Sequence, residues 1–187
     1  QRIHGVAAAE PDRLAIVHNG QPITYGAFWR CIEGRRRSLA SYGRPGAFAV
    51  CRVTHMVESW ILDLALRALD LTTACVQTAD QIELFANLDV ACTLSLASEP
   101  ANAEARLPGV PHLVLGPLPT PVDLVHGPLP PPPVALHAGG HIKLTSGTTG
   151  RYKKVPTTFG ATEAQVAARL ERYIERGDAI RQFGPDT

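Results

Sequence analysis

Residues Leu144–Val155 read LTSGTTGRYKKV. Six consecutive residues, Thr145 to Gly150, are Thr, Ser or Gly, and the cations Arg151, Lys153 and Lys154 follow them. Glycine permits positive φ and removes Cβ, so backbone N–H groups around Gly147 and Gly150 can converge on one point. Thr145, Ser146, Thr148 and Thr149 add hydroxyl donors, and Lys153 adds a mobile point charge. Such a donor set suits a polyphosphate, whose oxygens each take several charge-assisted hydrogen bonds. The spacing is not that of GxxxxGK[ST], because Gly147 and Gly150 are too close and no lysine directly follows a glycine. GxGxxG is absent too. A flexible surface loop is the plain alternative on residue types alone.

Outward from this stretch, the chain reads as alternating strands and helices. Leu14–Val17 and Pro22–Tyr25 are strand-like and flank Asn19-Gly20, a two-residue hairpin signal. From Tyr25 the period becomes helical, with Phe28, Ile32 and Leu39 on one face and Glu33 and Arg35 to Arg37 at polar positions, expected to form a solvated face. Ala47–Val53 is a nearly continuous apolar run, as in a strand covered on both faces. Val57, Trp60, Ile61, Leu64, Ala65 and Ala68 recur at i, i+3, i+4, with leucines on the other sides, so a helix buried almost all round is expected, Trp60 in the core. Thr72–Gln77, Val90–Leu96 and His112–Gly116 are further strands, and Asp80–Asn87 fits a short helix.

Gly140–Ser146 leads into the Gly/Thr loop as one more strand, and a second short strand leaves it through Lys153 to Thr158. Thr162-Glu163-Ala164-Gln165 has capping-box form, with Val166, Leu170, Tyr173 and Ile174 on one face of the following helix and Gly177 as its stop. Pro117 to Pro133 hold eight prolines, an extended stretch suited to a stiff connector or to a ligand of SH3 or WW domains. Its place between strands of one fold favours the connector. The fold class is therefore α/β, a mostly parallel sheet flanked by helices with an opening β-hairpin.

Composition limits the rest. The net charge of +1 gives no general attraction to nucleic acid. Residues from Lys143 onward carry 8 Lys/Arg against 5 Asp/Glu, so the modest positive excess sits with the loop. No apolar run of about 18 residues is present, so no membrane span is expected. Cys31, Cys51, Cys75 and Cys92 form no CxxC pair, and no histidine has metal-ligand spacing. They read as buried reduced thiols of a cytoplasmic protein.

The stretch Thr145-Ser146-Gly147-Thr148-Thr149-Gly150-Arg151-Tyr152-Lys153 resembles the signature loop of the adenylate-forming superfamily, roughly S/T-S-G-S/T-T-G-x-P-K-G. That superfamily includes acyl- and aryl-CoA synthetases, peptide-synthetase adenylation domains and luciferases. Upstream, ITYGAFW (Ile23–Trp29) is similar to its TYxEL segment. Gly43–Leu69 resembles its glycine-rich turn, strand and helix, and ALDLTTACVQ lies where the family has AGAxxVPxD. The resemblance runs in order over most of the chain. Departures are Tyr152 for proline, Lys154 for glycine, Arg67-Ala68-Leu69-Asp70 for KAG, and Pro45-Gly46-Ala47 at the GD position.

The resemblance implies an ATP-dependent, AMP-forming acid–thiol ligase of the acyl- or aryl-CoA synthetase type. A carboxylic acid would attack the α-phosphate of Mg2+-bound ATP, and coenzyme A or a phosphopantetheine thiol would then take the acyl group. Thr145, Ser146, Gly147, Thr148, Thr149 and Gly150 would bind the β- and γ-phosphates, and Lys153 would steady the departing pyrophosphate. No protein metal ligand is implied in this stretch. A peptide-synthetase adenylation domain, or a degenerate relative that binds a nucleotide or partner without turnover, are the other readings. The family's acid pocket, adenine contacts and adenylation lysine follow the loop. Residues 1–187 are thus expected to form one incomplete domain with the 117–133 connector inside it. A fragment is favoured over a natural half that works with a second chain, and the chain alone is expected to be inactive.

Overall fold

The computed structural model describes residues 2–98, 107–117, 128–133, 139–146 and 152–175. The expected hairpin forms from β1 (Leu14–His18) and β2 (Gln21–Thr24), antiparallel, with His18 opposite Gln21. Asn19 and Gly20 turn it with φ of 50° and 74°, the left-handed pair a tight two-residue turn requires. This ribbon stays separate from the main sheet.

The main sheet has six strands in the order β6-β5-β3-β4-β7-β8. They are β3 (Phe48–Arg52), β4 (Thr72–Cys75), β5 (Val90–Leu96), β6 (His112–Leu115), β7 (His141–Ser146) and β8 (Tyr152–Thr157). All neighbours are parallel except β7 with β8, which are antiparallel. β3 lies near the middle, which explains its apolar continuity. Ala49 and Cys51 face one core layer with Leu62, Leu66, Leu71 and Leu94. Val50 faces the opposite layer with Ala74, Ile82, Phe85 and Ile142.

A third apolar layer lies between helices α1 (Arg2–Ala9), α2 (Tyr25–Ser38) and α3 (Met56–Arg67). The Thr24 side chain caps α2 by accepting from the Ala27 N–H at 3.3 Å, and His55 Nδ1 caps α3 by accepting from the Glu58 N–H at 3.3 Å. α3 is covered twice: Val57, Ile61 and Ala65 meet α2, while Leu62 and Leu66 meet the sheet.

Several expectations change. Trp60 is 45% exposed, on the one side of α3 that neither α2 nor the sheet covers. Arg35 to Arg37 are not a uniformly solvated face. Arg35 and Arg36 are largely covered and pair with Glu58 and with the buried Glu33, and only Arg37 is mostly in solvent. Burying the Glu33 carboxylate demands such partners, and Arg36 meets it with two bonds of 2.9 and 3.0 Å. The short helix after β4 is a 310 segment, Asp80–Phe85. α4 (Phe159–Glu175) starts earlier than the capping-box pattern suggests. Thr158 Oγ1 accepts from the Ala161 N–H at 3.2 Å, and Thr162 lies inside the helix, its hydroxyl donating back to the Thr158 carbonyl. Gly177 lies outside the described residues. α1 has no sequence signature: Gly5 sits mid-helix, and packing of the fully buried Ala7 holds it in place.

The four thiols are free. Cys51 and Cys75 are register partners, and Cys92 lies opposite Ala49 on the same face. Burial pushes the Cys31 thiol up to about 11 and Cys92 to about 12, and raises Cys51 and Cys75 as well. Thiols held protonated in this way are packing groups, not nucleophiles. Among the described residues no helix is long and apolar enough to cross a membrane.

Candidate functional site: the β7–β8 hairpin

β7 runs parallel to β4, so Ser146 ends β7 at the carboxyl edge of the parallel strands. In open α/β sheets that edge is where ligands bind. The chain returns through β8, with Ser146 opposite Tyr152, Thr145 opposite Lys153 and Leu144 opposite Lys154. Gly147, Thr148, Thr149, Gly150 and Arg151 lie outside the described residues, and only the backbone of Ser146 is described. Of the sequence-predicted residues, Thr145 and Lys153 are thus brought side by side on one face, both exposed, at the mouth of the loop.

The register separates the two lysines. Strand side chains alternate between faces. Leu144 packs against the Ile82 and Phe85 layer, so Lys154 points there too. Its ammonium donates to the Leu84 carbonyl at 2.7 Å and lies 5.7 Å from the Phe85 ring centre. Lys154, itself exposed, is therefore held on the Phe85 side of the hairpin, and Lys153 lies on the opposite face beside Thr145. Tyr152 opens β8 paired in register with Ser146.

The amino end of β7 is anchored separately. The Gly139 N–H donates to the Arg67 carbonyl at 3.1 Å, and Arg67 Nε returns a bond to the Gly139 carbonyl at 3.1 Å. His141 Nδ1 lies 3.1 Å from Asp63 Oδ1 and 2.8 Å from Thr73 Oγ1; Arg67 Nη1 donates to Asp63 Oδ2 at 3.2 Å, and the Thr73 hydroxyl donates to Asp63. His141 is thus a member of a polar network joining α3, β4 and β7, five residues of strand, or about 17 Å, from Ser146. Burial alone would raise the Asp63 carboxyl. Hydrogen bonds from His141 and Thr73 and the charges of His141 and Arg67 outweigh it and hold the group below its ordinary value.

A folded-state value below the unfolded one stabilises the protein at high pH, and the gain is lost as pH falls through the folded value. Asp63→Asn should therefore cost about 2 kcal/mol at pH 7. The gap to the unaltered chain should close progressively below the ordinary aspartate range of about pH 4. Urea unfolding of both proteins at pH 7 and pH 3 measures it; a gap that is constant across this range would refute the network's charge-dependent role.

Sequence reasoning did not single out Arg52, which ends β3 at the same carboxyl edge. Its Nε donates to the Gln77 carbonyl at 3.2 Å, and its buried Nη1 has no hydrogen-bond partner among the described residues. The only signal was a charge closing an apolar run. A pocket of about 450 Å³ lined by Phe48, Leu88, Ile142 and Pro156 opens near the amino ends of the strands, away from the loop. Among the described residues no three His, Cys, Asp or Glu side chains gather as a metal site.

Comparison with solved structures gives the fold its class. Residues covering 91% of this chain superpose on o-succinylbenzoate coenzyme A synthetase (MenE) from Bacillus subtilis in complex with AMP, with a TM-score of 0.65 and 18% identity, over 45% of that chain. The amide bond synthetase McbA from Marinactinospora thermotolerans matches over 84% of this chain and 34% of its own, with a TM-score of 0.63 and 24% identity. The nonribosomal peptide synthetase FmoA3 matches over 96% of this chain and 18% of its own, with a TM-score of 0.66 and 19% identity. No protein-family model and no curated protein matches the chain in sequence. The chain thus shares its fold with part of each of these synthetases, and it spans less than half of their length.

Proposed function

We propose that this chain is the phosphate-loop-bearing part of an ATP-dependent, AMP-forming acid–thiol ligase of the acyl- or aryl-CoA synthetase type. The observation that carries the reading is the β7–β8 register, which sets Thr145 beside Lys153 at the carboxyl edge of a parallel sheet while turning Lys154 away. The fold is that of enzymes solved with AMP and with ATP and magnesium ion, which adds support. In this reading Ser146, Gly147, Thr148, Thr149 and Gly150, with Thr145, donate hydrogen bonds to the β- and γ-phosphates of ATP. Lys153 stabilises the charge on the departing pyrophosphate. Magnesium, when bound, neutralises part of the triphosphate charge. A carboxylic acid and a thiol, coenzyme A or phosphopantetheine, would be the other substrates of the whole protein. Residues 1–187 are then one incomplete domain containing the 117–133 connector, and a cytoplasmic setting suits these substrates.

The lysine pair supplies the test. Removing a charge-assisted hydrogen bond costs about 1.5–3 kcal/mol, roughly ten- to a hundredfold in affinity. Lys153→Ala should weaken magnesium tripolyphosphate binding by that factor in calorimetric titration. Lys154→Ala should leave affinity within about twofold and lower stability instead. Equal losses from both substitutions, or no tripolyphosphate binding by the unaltered chain, would sink the assignment.

A further inference from the structure

The proline-rich connector is not simply a spacer. Across residues 128–133, Pro128 and Pro131 are exposed, while Leu129, Pro130, Pro132 and Pro133 are half-buried. That repeat of three is the period of a polyproline II helix. Leu129 packs against the α1–α2–α3 layer. Trp29 of α2, only 5% exposed, donates its indole N–H to the Pro130 carbonyl at 2.8 Å, and the His4 ring of α1 meets Trp29 edge-on at 5.1 Å. A polyproline II strand makes no internal hydrogen bonds, so its carbonyls seek outside donors. A buried indole N–H is a donor that needs an acceptor. A segment of ordinary residues would bring N–H groups of its own, costly to bury unpaired, and proline brings none. Donor, apolar seat and period select one chemistry.

We propose that the slot at Trp29 and His4, between α1 and α2, is a recognition site for a polyproline II peptide, filled in cis by residues 128–133. Being tethered, the strap occupies its slot at an effective concentration of about millimolar, so a free proline-rich peptide binds only when the strap is out. The proposal does not depend on nucleotide binding.

The chain has two tryptophans, so Trp60→Phe leaves Trp29 as the only tryptophan, and excitation at the red edge of the absorption band, where the four tyrosines do not absorb, reads it alone. In that background, Leu129→Ser with Pro130→Ser should unseat the strap and move Trp29 emission to longer wavelength. A synthetic peptide spanning Gly127–Val134, GPLPPPPV, should reverse the shift at about millimolar concentration. The same peptide with alanine for every proline should not, and the chain with its own strap should not respond. Unchanged emission in the strap variant, or equal reversal by the alanine peptide, overturns the proposal. Should the variant fail to fold by circular dichroism, the unaltered chain decides. Its Trp29 indole proton, assigned by loss in Trp29→Phe, should exchange slowly with solvent, and rapid exchange overturns the proposal equally.

Discussion

Gly139→Ala is expected to destabilise the chain by about 3 kcal/mol. A Cβ at this position would fall inside the contact distance of the Leu71 carbonyl, a backbone group that cannot swing aside. Both segments are fixed: Gly139 is bonded to Arg67 in both directions, and the Leu71 N–H donates to the Leu66 carbonyl at 3.2 Å. The methyl therefore has to push β7 away from α3 and β4, breaking the entry of the strand that leads to the loop. At about 2–4 °C per kcal/mol for a chain of this size, the melting temperature should drop by about 10 °C. Gly160→Ala is the control. Nothing lies within 4 Å of its added Cβ, and it sits in α4, so it should be neutral or stabilising by about 0.5 kcal/mol. Calorimetry that shows the two variants melting together would mean that β7 does not enter the sheet in this way.

Phe85→Ala should cost still more, about 3–5 kcal/mol. Phe85 is fully buried and joins the 310 segment to Val50, Ala74 and Ile142 beneath the sheet. Its ring also lies under the Lys154 ammonium, so truncation removes a seat of β8 along with core volume. Phe85→Leu keeps most of the volume and loses the ring face, and should cost about half as much or less. In the Lys154→Ala background the penalty of Phe85→Leu should shrink, because the cation is already gone. A double-mutant cycle from urea unfolding measures this coupling. Strict additivity would show that Lys154 and Phe85 do not support one another.

Much of the architecture could be read from local pattern. Asn19-Gly20 specified its hairpin because few residues other than these adopt two successive positive φ angles. The apolar continuity of Ala47–Val53 announced a strand covered on both faces, as β3 is. The loop stretch pointed to phosphate through the chemistry of its donors, and the strands either side of it formed where the sequence placed them. The hairpin and strand readings work because period and turn chemistry belong to neighbouring residues.

Contacts between distant residues had to wait for the fold. No local signal says that Trp60 faces water while Trp29, with a similar helical setting, is buried beneath Pro130, 101 residues away. Glu33 and Arg36 look like surface charges until α2 is packed. Thr158 takes the cap of α4 from Thr162, although only Thr162 has the capping-box pattern, because β8 ends at Thr157 and the helix starts at once. Lys153 and Lys154 are adjacent cations in the sequence, and only the register of β8 against β7 sends one to the loop and the other to Phe85. Local sequence was enough for the hairpin, the strands and two of the helices, α2 and α3. Strand order, burial and the opposite faces taken by the two lysines were decided by tertiary packing, because free energies of burial depend on what arrives from elsewhere in the chain.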